Sequence, residues 1–253
     1  MERLLAQFDR ITLGEMADVR LMNRIDTKFV TTLPVLYRLL SMVHDDYLVQ
    51  EIGGERNTRY LTTYFDTEDF DMFYVHQSGH TNRQKLRFRT YVSSNIQFME
   101  VKTKNNHGRT RKNRMQVDGM DIMETGKRAF LCEHLRYRVE QLRPVLDNDF
   151  HRVTLVNRAL TERLTIDTGL TFHNPLTDAS VNMSPLVIIE LKRDGLCPSP
   201  VLEMLRRLRV FPHGFSKYCI GSALTNGSLR VNRLKPRLMS VAKIAANDNR
   251  LVP

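Results

Sequence analysis

Tryptophan is absent from the 253-residue sequence, and cysteine is scarce, with only Cys132, Cys197 and Cys219. The three cysteines lie far apart and form no C-x-x-C pair, so neither a disulfide framework nor a zinc ribbon is encoded. The eight histidines are scattered and offer no metal-ligand spacing. Unpaired thiols fit a reducing compartment, where they serve as small buried hydrophobes. Long apolar runs are missing as well. The longest, Leu186 to Ile189, is far too short to span a bilayer. Glu2 and Arg3 interrupt the start of the chain, which does not read as a signal peptide. A cytoplasmic protein is therefore expected. No P-loop, G-x-G-x-x-G, H-E-x-x-H or G-x-S-x-G is found, which removes the commonest nucleotide and hydrolase signatures. Acidic residues are in deficit: 28 Asp and Glu stand against 38 Lys and Arg, a net charge of +10. Such an excess suggests an anionic partner, whether nucleic acid, an anionic membrane surface or a phosphorylated small molecule.

What is present reads as alternating strands with a few helices. Helices are expected over Leu33 to Val43, with Thr32 as N-cap and Pro34 in the first turn, and from Asp66 to about His76, with Thr67 as cap. Others are expected within Asp121 to Arg143, ending at Pro144, and over Val201 to Arg209 and Ser216 to Leu224. Strands are expected at Arg59–Phe65, Gln84–Val92, Ile96–Lys104, Asn113–Val117, Arg152–Asn157, Arg163–Asp167 and Leu186–Lys192. Beyond Asn226 the chain is basic (Arg230, Arg233, Lys235, Arg237, Lys243) with little periodicity. Residues 1–225 are thus expected as one domain and 226–253 as a loosely held basic extension. Antiparallel strands with interspersed helices give an α+β class.

The strands share one pattern. Lys85, Arg87, Arg89 and Tyr91 are spaced two apart and so project from a single face, while Leu86 and Phe88 project from the other. Glu100, Lys102 and Lys104 repeat it, as do Arg163, Thr165 and Asp167, Glu190 and Lys192, and Arg24, Asp26 and Lys28. One wet face is ordinary for an antiparallel sheet, and Arg163 could simply pair with Asp167 along its strand. Cations dominate these faces, however, and two arginines on one strand face lie about 7 Å apart. The guanidinium fork matches phosphate oxygens. Glu100 and Glu190 interrupt the cations, and a carboxylate inside a phosphate site suggests Mg²⁺ or Mn²⁺ between the two. Curling such strands into a closed barrel would turn the charged faces into a lumen.

In order along the chain, Arg24-x-Asp26-x-Lys28-Phe29, Tyr64-Phe65-Asp66-Thr67, Lys85-x-Arg87-x-Arg89-x-Tyr91 and Glu100-x-Lys102 are followed by Lys112-x-Arg114, Arg163-x-Thr165-x-Asp167, Glu190-x-Lys192 and Ser216-Lys217-Tyr218. This ordered set resembles the VTC domain, the polyphosphate polymerase domain of the vacuolar transporter chaperone type, in the triphosphate tunnel superfamily. The resemblance implies a closed, eight-stranded antiparallel β-barrel with helices packed outside. It implies that Arg87, Arg89, Lys102, Arg163 and Lys217 act on the transferring phosphoryl group. Lys28, Lys85, Lys112, Arg114, Arg158, Lys192 and Ser216 would bind phosphates or nucleotide. Glu190, with Glu100 second, would hold the metal.

The function so implied is transfer of the ATP γ-phosphoryl group to a polyphosphate chain, beside a membrane-embedded partner protein. Related hydrolases of the tunnel fold open with E-x-E-x-K, whereas this chain has Arg24-x-Asp26-x-Lys28, which removes one carboxylate and leans away from metal-activated water. A tripolyphosphatase and a non-catalytic polyphosphate sensor remain the alternatives. Nucleic acid is disfavoured, because single-strand binders line their grooves with stacking aromatics and aromatics here are 8%.

Overall fold

The computed structural model describes residues 1–18, 24–106 and 110–247. In chain order its elements are α1 (Glu2–Leu5), β1 (Asp9–Thr12), β2 (Arg24–Thr32), α2 (Leu33–Val43), β3 (Tyr47–Glu51), β4 (Thr58–Thr67), α3 (Asp71–Gln77), β5 (Arg83–Tyr91) and β6 (Ile96–Lys104). They continue with β7 (Thr110–Val117), α4 (Thr125–His134), β8 (Leu142–Asn157), β9 (Glu162–Asn174), β10 (Ala179–Met183), β11 (Leu186–Asp194), α5 (Pro200–Arg207), α6 (Lys217–Thr225) and α7 (Lys235–Asn247).

All strands join one 11-stranded sheet whose main path is β2-β11-β9-β8-β4-β5-β6-β7; β10 extends it beside β9, and β3, with β1, beside β8. This corrects the expectation of a closed eight-stranded barrel. Among the described residues β2 and β7 do not pair, and the sheet is open between them. The reason is visible at β2. The backbone N–H of His213 donates to the carbonyl of Lys28 (2.8 Å), and Pro212 bridges Phe29. An extended segment occupies that edge, and Pro212 has no N–H with which to continue a ladder. Register shifts at Tyr64/Phe65 and Asp149/His151 bend the long strands, as bulges do.

Burial follows the alternation. Val153, Leu155, Leu164, Ile166, Ile189 and Leu191 pack with Leu36, Leu39 and Leu40 of α2 and with Val201 and Leu205 of α5. Leu86, Phe88, Met99 and Val101 join a larger core with Phe73 of α3, Leu131 of α4 and residues of α6. The apolar strand faces therefore point to helices, leaving the charged faces together. The expected helix within Asp121 to Arg143 shortens to α4, since Leu135 is already extended. The basic segment after Asn226 carries more order than its composition suggests. Leu229, Leu234 and Val241 are buried in the larger core, and α7 lies against β2. Leu238, Ile244 and Ala245, partly buried, pack on the same core, so that Leu234, Leu238, Val241 and Ile244 form an apolar stripe at helical spacing that was missed among the basic residues. Residues 248–253 of the expected extension lie outside the described residues.

Candidate functional site

On the β5–β6–β7 side, register places Lys85 opposite Lys102, Arg87 opposite Glu100, and Lys102 opposite Lys112. Glu100 is 1% exposed and clamped. Arg87 donates to its Oε2 from Nε (2.7 Å) and Nη2 (2.6 Å), and Lys112 Nζ donates to Oε1 (2.6 Å). Burial alone would raise this carboxyl, but Arg87, Arg89 and Lys112 outweigh it and hold it at about 2. Among the described residues Arg89 has no carboxylate partner. It donates to Thr62 Oγ1 (3.2 Å) and lies 5.6 and 5.7 Å from the ring centres of Tyr60 and Phe150. Burial, with Arg87 and Arg152 beside it, lowers its pKa to about 10, so it stays charged at neutral pH. Lys85 Nζ donates to Ser216 Oγ (3.1 Å), and Ser216 also caps α6 by accepting from the Cys219 N–H (3.2 Å). Burial, with Lys102, Arg83 and Arg87 near, pushes Lys85 down to about 7. Lys102 is lowered to about 8 by burial and by Lys28 and Arg87, with Glu190 partly offsetting them.

The facing side is built from β8, β9, β11, β2 and α6. Lys28 Nζ meets Glu190 Oε1 (2.8 Å) and Lys192 Nζ meets Oε2 (3.1 Å). Burial opposes ionisation of Glu190, yet Lys192 and Lys28 hold its carboxyl well below the usual carboxylate range. Arg152 grips Asp167 through Nε–Oδ1 (2.6 Å) and Nη2–Oδ2 (2.8 Å), and Lys217 Nζ reaches Oδ2 (2.7 Å). Arg163 pairs with no carboxylate among the described residues, and its Nε is buried without a hydrogen-bond partner. The Arg163–Asp167 pairing that the sequence allowed is not made. The position of Lys217 depends on α6 seating closely on the sheet. At Gly221 a Cβ would lie 2.5 Å from Phe172 and 2.7 Å from Leu146, so a larger residue would lift the helix.

Of the residues expected at the site, Lys28, Lys85, Arg87, Arg89, Glu100, Lys102, Lys112, Arg163, Glu190, Lys192, Ser216 and Lys217 share this charged face. Arg114 lies on the same face, opposite Glu100, exposed and stacked over Phe98, 4.7 Å from its centroid. Arg158 does not join it: it donates to Asp9 Oδ2 and to the Asp45 carbonyl (both 2.6 Å). Arg152 was missed, although it alternates with Thr154 on β8 and lies opposite Asp167. Arg83 was missed too, although it extends the two-residue spacing of Lys85, Arg87 and Arg89. Asp66 and Thr67 do cap α3: Asp66 accepts from the N–H groups of Met72 and Phe73 (both 2.9 Å), and Thr67 Oγ1 from that of Asp71 (3.0 Å).

Glu190 and Glu100, the expected metal ligands, each have both oxygens engaged by cations. Among the described residues no three His, Cys, Asp or Glu side chains converge on a common point. The donor set does not fit a resident divalent ion, because hard cations want free carboxylate oxygens.

With this geometry in place, comparison with known proteins is informative. Residues 23–226 match the VTC domain family. The chain belongs to the VTC domain family. No curated protein sequence matches this VTC domain. Among solved structures it is similar to a Hippeastrum candidate adenylyl cyclase in which triphosphatase activity dominates, with 16% identity over 82% of this chain and 97% of that one, and a TM-score of 0.50. It is also similar to a candidate adenylate cyclase from Bacillus halodurans (16% identity, 77% and 96% covered, TM-score 0.48) and to a Pyrococcus horikoshii protein (14%, 81% and 99%, 0.45). At such identities the likeness is one of fold alone. Among the described residues of this VTC domain no helix is long and apolar enough to cross a membrane.

Proposed function

We propose that the charged face binds ATP and polyphosphate and carries out phosphoryl transfer to the polyphosphate end. A terminal phosphate oxygen of the chain attacks the γ-phosphorus of ATP, the bond to the β-bridging oxygen breaks, and ADP leaves with that electron pair. The acceptor oxygen is already ionised near neutral pH, so no general base is required. Phosphoryl transfer asks the protein chiefly for positioning and charge neutralisation. Arg89, Lys102 and Arg163 are the cations placed for the non-bridging oxygens, with Arg87 and Lys217 released to join them as their carboxylates are outcompeted. Lys85 and Ser216 would hold a neighbouring phosphate. A peripheral position beside a membrane-embedded partner belongs to the same reading through the family likeness.

One observation carries the proposal: among the described residues, Lys85, Arg89, Lys102 and Arg163 stand on one face without carboxylate partners. The clamped carboxylates favour a second reading, a protein that binds polyphosphate without turning it over. One assay separates the two. The protein is incubated with ATP in Mg²⁺, Mn²⁺ or EDTA, and polyphosphate is followed on gels alongside free phosphate. Chain growth with ADP supports the transferase, and phosphate without chain growth indicates hydrolysis. Triphosphate binding with neither product supports the binder, and absence of binding removes both readings.

A further inference from the structure

A second group of cations lies around the segment that leads into α6. Arg237, in the first turn of α7, rests its guanidinium over Gly214: a Cβ there would meet Arg237 Cζ and Nε at 3.8 Å and Nη2 at 3.9 Å. His213 Nε2 and Ser240 Oγ, 3.0 Å apart, tie α7 to the same segment. Two residues beyond Gly214, Ser216 holds Lys85. Arg83 begins β5 on the face of Lys85, steadied by the His80 carbonyl (2.5 Å). His76 of α3 has a buried Nδ1 without a hydrogen-bond partner. Its imidazole is held well below its ordinary value by burial and then by Lys85, Arg83 and Arg237, so it is neutral and adds no charge.

None of Arg83, Lys85 and Arg237 forms an ion pair with a carboxylate among the described residues. Like charges gathered without a counter-charge repel and concentrate anions from solution. The group is continuous with the charged face, because Arg83, Lys85, Arg87 and Arg89 alternate along one strand. At ~3.3 Å per residue that run spans roughly 20 Å, longer than three linked phosphate groups. Arg237 is exposed and open to a ligand.

We infer that Arg83 and Arg237, adjoining Lys85 and the Gly214–Ser216 segment, form a second phosphate station, which holds the part of a linear polyphosphate lying beyond its first three phosphates. The inference rests on the proposed function and deepens it by assigning chain-length preference to α7. That helix lies past residue 226, where the match to the family ends.

The test compares the full chain with its Arg237→Gln and Arg237→Lys variants, using calorimetry at fixed salt with tripolyphosphate and with a long linear polyphosphate. Arg237→Gln should weaken the long chain about tenfold, the low end for a charge-assisted hydrogen bond, and leave tripolyphosphate unchanged. Arg237→Lys should restore most of the loss. Arg237 is exposed, and an unchanged thermal midpoint verifies that the variants fold. Equal weakening of both ligands, or no weakening of the long chain, overturns the station while the charged face stands. A wild-type chain that binds neither ligand overturns the charged-face reading and the station together.

Discussion

The two sides of the charged face handle the same problem differently. Among the described residues of the β8–β9–β11–β2 side, three carboxylates serve five cations: Glu190 takes Lys28 and Lys192, Asp167 takes Arg152 and Lys217, and Asp26 takes Arg24. Arg163 is left over. On the β5–β6–β7 side, among the described residues, Glu100 alone serves Arg87 and Lys112, while Arg83, Lys85, Arg89 and Lys102 have no carboxylate. The first side holds most of its cations in its own ion pairs. The second holds surplus charge ready for a ligand. On the proposed function, paired cations would set the shape of the site, and unpaired ones would supply its affinity.

The sharpest way to break this contrast is Glu100→Gln, which strips the cation-rich side of its one carboxylate. Removing one partner from a buried ion pair costs about 3–5 kcal/mol. Arg87 and Lys112 keep some solvent contact, at 22% and 40% exposure, so about 2–3 kcal/mol is expected here after screening. Urea unfolding without added anion should show that loss, and tripolyphosphate should restore much of it by taking the carboxylate's place. A variant as stable as the wild type would mean that Glu100 is not the counter-charge that holds this side together.

Ligand affinity sharpens the contrast further. Arg89→Ala removes an unpaired cation and should weaken tripolyphosphate binding by about 1.5–3 kcal/mol. Arg87→Ala removes a cation that Glu100 already occupies. It should cost less, although it also frees a carboxylate that repels the ligand. Calorimetry on both gives the order, and a larger loss for Arg87→Ala would reverse the assignment of paired and unpaired roles.

How much of this could be read beforehand follows from what local spacing encodes. A period of two is a property of neighbouring residues, so the charged faces of β5, β6, β9 and β11 were legible, together with their apolar backs. The ordered motifs carried the family. Closure is a long-range property: it depends on what sits at the edge of β2, and Pro212 and His213 come to that edge from far along the chain. Pairing is long-range as well, and so Asp167 could be placed on the right face yet matched with Arg163 in place of Arg152 and Lys217. Arg158, expected at phosphate through the resemblance alone, lies just past the end of β8 and is turned to Asp9 and the Asp45 carbonyl. The docking of α7 escaped because its apolar face, Leu238, Val241 and Ile244, is interleaved with the basic residues that set the composition of the segment.

A moderate effect is expected from pH. Burial and neighbouring cations lower Lys85 to about 7 and Lys102 to about 8 in the free protein. Both are charged at pH 6. Raising the pH through 7 and then 8 discharges them in turn, so anion binding above pH 7 must take up protons. An anionic ligand favours the charged amines, so affinity should fall as pH rises over this window, against the growing charge of the ligand itself. Lys85→Arg keeps the charge and should flatten the profile, and proton uptake measured in two buffers at pH 7.5 should drop. Unchanged uptake in the variant would remove Lys85 from the ligand's surroundings.

The smallest effect is expected at Arg158. The family motif assigns it to phosphate, yet its guanidinium is turned to Asp9 and the Asp45 carbonyl and is about half exposed. Exposed ion pairs contribute about 0.2–1 kcal/mol, so Arg158→Ala should lower stability by no more than about that amount. Tripolyphosphate affinity should stay at the wild-type value, in contrast to Arg163→Ala, which removes an unpaired cation with a buried, unsatisfied Nε. Measured side by side at the same salt, the two substitutions test whether side-chain placement or motif position decides which arginines meet the ligand. A loss at Arg158 equal to that at Arg163 would mean that Arg158 leaves Asp9 for the ligand, and the division between site and scaffold would have to be redrawn there.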